Sequence, residues 1–265
     1  MRRVYALIGI EPRLCERLKT TVMRFKSMND KKIMKKLVVL SGPSCVGKGP
    51  LRAALRRYHS EIKYAELVVC NSRRPRLKQR TGAFEVNAYE VHGLDYYFLP
   101  RGLFPQLDPR RFIVGDVRSD VQAIDMEQVR ELLAEQDLIL AEVFHTLGRG
   151  LMQWATARQA PDFEVRSVFM LPLSDDEVRD EATRRKVSPA HVVYETMKGK
   201  LERRGEDSPE KIKERANSAF IEMADAVHYT HRIVNHAGED ARDQWGDPLG
   251  PEAQRVLAEF VRILL

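Results

Sequence analysis

Cysteine, aromatic residues and long apolar runs are all scarce in this chain of 265 residues. The three cysteines, Cys15, Cys45 and Cys70, are too few and too scattered for a disulfide framework or a zinc knuckle, so we expect a cytoplasmic, reducing environment. No segment approaches the roughly 20 apolar residues that a membrane helix requires. The apolar run at residues 4–10 is short and lacks a following small-residue cleavage site. We therefore expect neither a membrane partner nor a secretion signal.

Charged residues of both signs are abundant, with 44 basic and 38 acidic side chains and a formal net charge of +6. A basic surplus favours anionic ligands of any size, from ATP to RNA. We expect no nucleic-acid partner, because the chain has no motif that combines aromatic and basic residues for base recognition. The length suits one large domain with lobes, since single cores stop growing at roughly 250–300 residues.

Apolar runs alternate with helical segments from Lys36 onward, after a polar and basic stretch at residues 1–35 that we expect to be a disordered or helical extension. The expected strands are Leu37–Leu40, Leu67–Val69, Phe112–Val114, Leu138–Ala141, Val165–Leu171 and Ile233–Val234. The expected helices are Leu51–Tyr58, Met126–Gln136, Asp175–Lys186, Ala190–Arg203, Pro209–Ala226 and a final helix that reaches Leu265. This alternation predicts an α/β domain with a mainly parallel sheet.

A glycine-rich turn after the first expected strand carries the strongest functional signal. It has the G-x-x-x-x-G-K spacing of a phosphate-binding loop, and an expected helix follows it. In such loops backbone N–H groups converge on phosphate oxygens, and the lysine reaches the β- and γ-phosphates. The alternative is a chance turn with a surface lysine. The residues that we assign to ATP binding are Gly42, Pro43, Ser44, Cys45, Val46, Gly47, Lys48 and Gly49.

The loop lacks the hydroxyl that usually binds Mg²⁺ after the lysine, because Gly49 and Pro50 follow it. Metal binding would then depend on ATP, water and another carboxylate. Glu142 is the candidate, since it ends an apolar run and should lie at the carboxyl edge of the sheet, where open α/β folds bind ligands. The alternative is that Glu142 is only a capping or ion-pairing residue.

Further motifs resemble those of guanylate kinases, in the same order along the chain. The loop is similar to that family's G-P-S-G-V-G-K-G-T, with Cys45 in place of a glycine. Arg73–Arg76 resembles T-T-R-x-P-R, and Glu90–Phe98 matches E-x-x-G-x-D-Y-x-F. Lys200–Arg215 resembles the lid motif R-L-x-x-R-G-T-D-S-x-E-x-I-x-x-R, and Ile233–Asn235 resembles a V-V-N strand.

The resemblance implies an ATP-dependent kinase of a small phosphorylated acceptor, by default GMP, with Mg²⁺ as cofactor. The implied catalytic residues are Lys48, Arg204 and Arg215, because phosphoryl transfer needs positive charge around the moving group. The implied acceptor-binding residues are Arg73, Arg76, Tyr96 and Glu142, and Asn235 joins the ATP site. A region with this many arginines could also be no more than a solvated basic loop.

The same resemblance implies how the chain is divided. A P-loop NTPase core, a parallel sheet flanked by helices, would comprise residues 36–68, 138–178 and 209–265. An acceptor-binding lobe of the nucleoside-monophosphate type would comprise residues 69–125, and a helical lid residues 179–208. The segments 77–89 and 180–197 are longer than is usual in the family.

The departures from the family fall where guanylate kinases read guanine. Val69, Val114 and Phe144 stand where the family has Ser, Glu and Asp. Polar groups of this kind give discrimination of about 10⁴–10⁵, so their loss puts guanine selectivity in doubt. Other polar residues could read a different base or a sugar, although we favour the interpretation that they lie on a solvent-facing edge. These residues are Asp116, Arg118, Asp120 and Gln122.

Three functions are consistent with these features. The first is transfer of phosphate from ATP to a nucleoside monophosphate. The second keeps this chemistry but uses another nucleotide or a phosphosugar as acceptor, which accounts for the altered base-reading positions. The third is a catalytically inactive guanylate-kinase-like binding module. Pro50 favours this third function, whereas the presence of Lys48, Arg204 and Arg215 opposes it.

Overall fold

A computed structural model describes residues 34–78, 88–157 and 163–265 of the chain. Residues Lys35–Leu265 form one compact unit by themselves. The predicted extension at residues 1–35 lies almost wholly outside the described residues, and the long segment 77–89 does so in large part. No helix within the described ranges is long and apolar enough to cross a membrane.

The strands and helices of the described residues are numbered in chain order. The strands are β1 (Lys35–Ser41), β2 (Ala65–Glu66), β3 (Cys70–Asn71), β4 (Leu77–Lys78), β5 (Ala88–Tyr89), β6 (Tyr97–Phe98), β7 (Phe112–Val117), β8 (Asp120–Asp125), β9 (Leu138–Glu142), β10 (Phe163–Leu171) and β11 (His231–Val234). The helices are α1 (Lys48–Tyr58), α2 (Met126–Glu135), α3 (His145–Ala157), α4 (Asp175–Arg185), α5 (Pro189–Arg204), α6 (Pro209–Ala224) and α7 (Pro251–Leu264). Two 3₁₀ helices span Arg101–Gln106 and Asp225–His228.

The first sheet has the strand order β11-β10-β1-β9-β2, and all its neighbours are parallel. Residues Leu37–Leu40 of β1 are fully buried, as expected for a strand that is covered on both faces. Leu37 and Val39 pack on the side of α2, α3, α5 and α6. Val38 and Leu40 pack on the side of α1 and α7. The predicted α/β fold, a parallel sheet flanked by helices, is confirmed.

A second, mixed sheet has the order β6-β3-β8-β7, in which β8 is antiparallel to both β3 and β7. The strand expected at residues 67–69 is wrong, because this segment crosses from β2 in the first sheet to β3 in the second. The Leu67 N–H still donates to Leu140 in the first sheet, whereas the Val69 carbonyl accepts from Tyr97 in the second, both at 3.0 Å. The run is apolar because both ends of the crossing are buried.

The helices that follow β10 carry the lid arginines, which are the two arginines of the lid motif, Arg204 on α5 and Arg215 on α6. Helix α5 ends at Gly205, whose φ of 74° closes the last turn. The Ser208 hydroxyl caps α6, and Pro209 occupies its first position. Helix α3 was not predicted, although Leu147, Leu151 and other apolar residues recur in it at helical spacing.

Candidate active site

The segment between β1 and α1 forms the predicted phosphate-binding loop. Its backbone is left-handed at Gly42, Cys45 and Gly47, with φ values of 146°, 64° and 97°. A Cβ atom on Gly42 would lie 2.5 Å from the carbonyl oxygen of Met170, so only glycine is tolerated there. Cys45 carries a side chain in a conformation that costs roughly 1–2 kcal/mol for residues other than glycine. The loop therefore keeps a left-handed turn at this position without the glycine of the family.

Asn235 is fully buried beneath this loop. Its side-chain amide donates to the carbonyl oxygens of Val46 and Ala237, both at 2.8 Å. A Cβ atom on Gly47 would lie 2.3 Å from that amide nitrogen, so the glycine permits the close approach. Asn235 thus holds the loop in shape, and the direct contact with ATP expected for it stays a prediction.

A cavity of about 220 Å³, the central cavity, opens between this loop, the second sheet and α6. It brings together most residues that the sequence analysis assigned to the site. These are Gly42, Ser44, Cys45, Lys48, Arg73, Arg76, Tyr96, Glu142 and Arg215. Arg204 is paired at 3.2 Å with Glu239, which lines the cavity and which the sequence analysis missed.

The Lys48 side chain lies at the start of α1 and lines the central cavity. Its Nζ atom donates to the carbonyl oxygens of Gly42 and Pro43, at 2.9 and 2.8 Å. Both acceptors belong to the loop itself, so the ammonium can exchange them for phosphate oxygens without breaking an ion pair. Pro50 lies in the first turn of α1, where its missing N–H removes no helical hydrogen bond.

Glu90 organises the arginines of the acceptor wall, which is the side of the central cavity lined by Arg73, Arg76 and Tyr96. Its carboxylate binds both arms of the Arg73 guanidinium, one at 2.7 Å, and accepts from the backbone N–H of Arg76 at 2.8 Å. The Arg73 guanidinium also lies 4.8 Å from the centre of the Tyr96 ring. The Arg76 guanidinium forms no hydrogen bond within the described part of the chain. Arg76 is therefore freer than Arg73 to bind an incoming phosphate.

Arg204 and Arg215 flank Asp207 but have different surroundings. Burial would lower the pKa of Arg204, but Glu239, Asp207 and Glu206 outweigh it and raise the pKa. Among the described residues one carboxylate, that of Asp207, pairs with Arg215, at 3.3 Å. Burial, reinforced by nearby cations, lowers the pKa of Arg215 to about 10. The cavity therefore has a surplus of positive charge at Arg215, which favours an anion.

Glu142 ends β9 at the edge of the cavity, as its apolar run predicts. Its Oε2 atom pairs with Arg52, which also binds Glu66 at 2.7 Å. Burial would raise the pKa of Glu142, but Arg52 and Lys48 hold it below its usual range. The carboxylate is thus ionised at neutral pH, and its Oε1 atom accepts no hydrogen bond from the described residues. Glu142 forms an ion pair and still offers one oxygen to a ligand.

The positions of Val114 and Phe144, where the resemblance implied residues that read guanine, differ in their surroundings. Val114 is 42% exposed on β7, whereas Phe144 lines the central cavity. The Arg118 guanidinium lies 5.2 Å from the centre of the Phe144 ring, and its Nη2 atom donates to Glu222 at 2.5 Å. An apolar ring, packed against an arginine, therefore stands at the position where the resemblance implied an aspartate.

The interpretation of residues 116–122 as a solvent-facing edge is wrong for three of the four residues. Arg118, Asp120 and Gln122 line the central cavity, whereas Asp116 is exposed. Gln122 is the cross-strand neighbour of Asn71, which also lines the cavity. The side chains of Asp120 and Gln122 have no hydrogen-bond partner in the described ranges, so this face of the second sheet can bind a polar ligand.

Cys45 is expected to resist alkylation in the folded protein. The residue is 1% exposed, and burial, reinforced by Glu239, raises the pKa of its thiol to about 12. Because only the thiolate reacts, we expect iodoacetamide at pH 8 to modify Cys45 at least about 100 times more slowly than in urea. Mass spectrometry of the Cys45 peptide over time measures both rates. Equal rates would contradict the burial of this thiol.

The fold and the loop together define a class of protein. A parallel α/β sheet whose first strand continues through a left-handed glycine-rich loop and a lysine into a helix is a P-loop nucleotide-binding core. No protein-family model matches the chain.

Curated relatives narrow this class. The chain is 28% identical over 210 residues to the guanylate kinase of Trichormus variabilis, covering 78% of this chain and 85% of the relative. It is 28% identical over 213 residues to that of Mycobacterium leprae, covering 78% and 81%. The guanylate kinase crystal structure from Anaplasma phagocytophilum aligns with 87% of this chain and 85% of that chain, at 17% identity and a TM-score of 0.48. The curated relatives confirm the resemblance drawn from the motifs: the chain is a divergent guanylate-kinase-like protein.

Proposed function

We propose that this protein transfers the γ-phosphoryl group of ATP to a nucleoside monophosphate. One observation carries the proposal: Lys48 of the phosphate loop, Arg76 of the acceptor wall and Arg215 of α6 line the same cavity. Phosphoryl transfer depends on positioning and on positive charge from several directions, more than on covalent chemistry. The names of the curated relatives support the same activity.

The cations on the donor side surround the group that moves. In this proposal Lys48 exchanges the loop carbonyls for oxygens of the β- and γ-phosphates. Arg204 at the end of the lid and Arg215 of α6 neutralise the charge that spreads over the phosphoryl oxygens in the transition state. Asp207 sets the spacing of these two arginines, because it pairs with both.

The acceptor side holds a second phosphate. Arg76 binds it with its guanidinium fork, whose planar geometry matches phosphate oxygens. Tyr96 offers its hydroxyl, while Arg73 and Glu90 fix the position of this wall through their ion pair. The acceptor's phosphate oxygen is thereby directed towards the γ-phosphate of ATP.

The described residues offer Mg²⁺ only a small number of protein ligands. No cluster of three or more His, Cys, Asp or Glu side chains in the described ranges could hold a metal alone. Magnesium commonly keeps several waters and binds one or two carboxylates together with substrate phosphates, so the free Oε1 atom of Glu142 is sufficient. When bound, the ion would add positive charge beside the phosphates of ATP.

The acceptor is GMP by resemblance, but Phe144 favours a second candidate, a different phosphorylated acceptor. With Phe144 and Val114 at the guanine-reading positions, two carboxylates that should accept from guanine N–H groups are missing. Asn71, Asp120 and Gln122 provide other polar groups on the cavity wall. We propose that Asp120 accepts a hydrogen bond from the acceptor.

A screen with Mg-ATP and each common nucleoside monophosphate and phosphosugar tests this function. We expect ADP release with at least one acceptor. Replacement of Asp120 by asparagine should then raise the KM for that acceptor by about 10-fold, since a hydrogen bond to a charged group is worth roughly 1.5–3 kcal/mol. Asp116→Asn is the matched control, because Asp116 is exposed on β7, and its KM should stay unchanged.

The screen also tests the competing functions. A preferred phosphosugar would replace the nucleoside monophosphate in the proposal. If no acceptor in the panel caused ADP release while one ligand still bound, the kinase activity would be refuted and an inactive binding module supported.

A further inference from the structure

We propose that the Glu239 carboxylate is an internal anion that occupies the phosphate loop and must be displaced by the polyphosphate chain of the donor. The proposal rests on the proposed function and adds a residue that sets donor affinity. Its basis is the position of the Glu239 carboxylate between the backbone N–H of Gly47 and the guanidinium of Arg204, both of which the proposed phosphoryl transfer uses.

The contacts of Glu239 are those expected of a bound phosphate oxygen. Its Oε1 atom accepts from the backbone N–H of Gly47 at 3.3 Å, at the N-terminus of α1. Its Oε2 atom accepts from Nη1 of Arg204 at 3.2 Å. A loop amide at a helix N-terminus and an arginine fork are the donors that bind phosphate most often. One carboxylate uses both of them.

The backbone on either side of Glu239 is fixed, so the carboxylate is held against the loop. A Cβ atom on Gly238 would lie 2.0 Å from the carbonyl oxygen of Cys45, so the glycine lets this segment pack directly against the phosphate loop. The buried Lys200 ammonium donates to the carbonyl of His236 and lies 3.7 Å from Asp240. Displacement therefore requires rotation of the Glu239 side chain rather than movement of its loop.

Glu239 also stands at the junction of two cavities. It lines the central cavity and a second one of about 460 Å³, which is bounded by Pro50, Arg242 and Trp245. A polyphosphate that extends from the second cavity to Lys48 would pass the position of this carboxylate. Two anions cannot share the Gly47 amide and Arg204, because their charges repel at such a distance.

The exchange has a direct consequence for affinity. Before displacement, Glu239 occupies Nη1 of Arg204, which also pairs with Asp207 and Glu206, and satisfies the Gly47 amide, so neither donor is free for a further anion. Binding must break both contacts before it gains its own. A neutral side chain at position 239 lowers this cost, and polyphosphate should bind more tightly.

Titration of the full chain with inorganic tripolyphosphate, without metal, tests the exchange by isothermal calorimetry. Replacement of Glu239 by glutamine should tighten binding by at least about 10-fold, the equivalent of one charge-assisted hydrogen bond. Glu239→Ala supplies a second neutral variant, which should bind more tightly than the parent as well. Glu206→Gln is the matched control: it removes the same charge beside the same arginine, at 3.2 Å from Nε. Glu206 also lines the second cavity, but within the described ranges it accepts no hydrogen bond from the phosphate loop. We expect it to change the affinity by less than about 3-fold.

The outcomes separate this inference from the proposed function. Equal or weaker binding by the two Glu239 variants, with measurable binding by the parent, would overturn the inference alone. Failure of the parent and of both variants to bind tripolyphosphate would refute the phosphate loop as a donor site, and the proposed function with it. If the Glu206 variant also bound tripolyphosphate more tightly, the effect would come from the loss of any nearby negative charge, and this result would also overturn the inference.

Discussion

Replacement of Lys48 by alanine is expected to lower kcat for phosphoryl transfer by about 100- to 1,000-fold, the usual loss when one transition-state donor is removed. The Lys48 ammonium is the cation of the loop that faces the cavity, and its present partners are two backbone carbonyls. Among the described residues this ammonium forms no direct ion pair, so it can turn to the phosphates. The backbone amides that remain cannot replace it, because each offers only a dipole.

A coupled assay of ADP release measures this effect. Acceptor binding should change little, since Arg76 and Tyr96 belong to the other wall of the cavity and keep their positions. Lys63→Ala is the control, because Lys63 is exposed and its ammonium donates to the carbonyl of Ser60. Turnover by the Lys48 variant equal to that of the parent would refute the role assigned to this residue.

The fold was predictable where burial on both faces imposes continuous apolar runs. Leu37–Leu40 and Leu138–Ala141 have no polar residue because helices cover both sides of the first sheet. The phosphate loop was predictable for a related reason. Its shape depends on positions where a Cβ atom would collide, as at Gly42 and Gly47, so the glycines are visible in the sequence.

The misassigned segments show what apolar pattern alone leaves open. Residues 67–69 have the composition of a strand, but their partners lie in two different sheets, a tertiary fact that no local pattern contains. The β7–β8 turn at Arg118 has a φ of 56° without a glycine, so the usual hairpin signal was absent. As a result, three cavity residues were taken for a solvent-facing edge.

The sequence motifs predicted the lysine and the arginines of the site. They did not predict which carboxylates pair with each of these cations. Arg204 and Arg215 are equivalent in the sequence motif, yet their surroundings differ. Arg204 pairs with Glu239, Glu206 and Asp207. Among the described residues, Arg215 pairs with Asp207 alone. Glu239 lies in a polar loop with many acids, and nothing in the sequence distinguishes it from the others.

This difference predicts that the two lid arginines affect stability with opposite sign. The pKa of Arg215 falls to about 10, through burial and through Arg76, Arg204 and Arg118, although Asp207 acts against the fall. At pH 7 the folded and unfolded chains are both protonated at this group, so the folded state bears the full unfavourable energy, of order 1.4 kcal/mol per pKa unit. That energy is relieved only as the pH rises above about 10, where the folded chain releases the proton first. Arg204 is the reverse case, since the neighbouring carboxylates of Glu239, Asp207 and Glu206 raise its pKa.

Arg215→Met should therefore raise the unfolding midpoint at pH 7.5, in the absence of nucleotide, by about 2–4 °C, the shift that roughly 1 kcal/mol gives in a chain of this size. Asp207 keeps Arg204 as its partner in this variant, so no buried carboxylate is left unpaired. Arg204→Met should lower the midpoint, because Glu239 and Asp207 then lose their shared cation. Both variants should lose phosphoryl transfer by at least about 100-fold. A fall of the midpoint in both variants would contradict the surplus of positive charge at Arg215, and with it the reason that this cavity should attract a phosphoryl group.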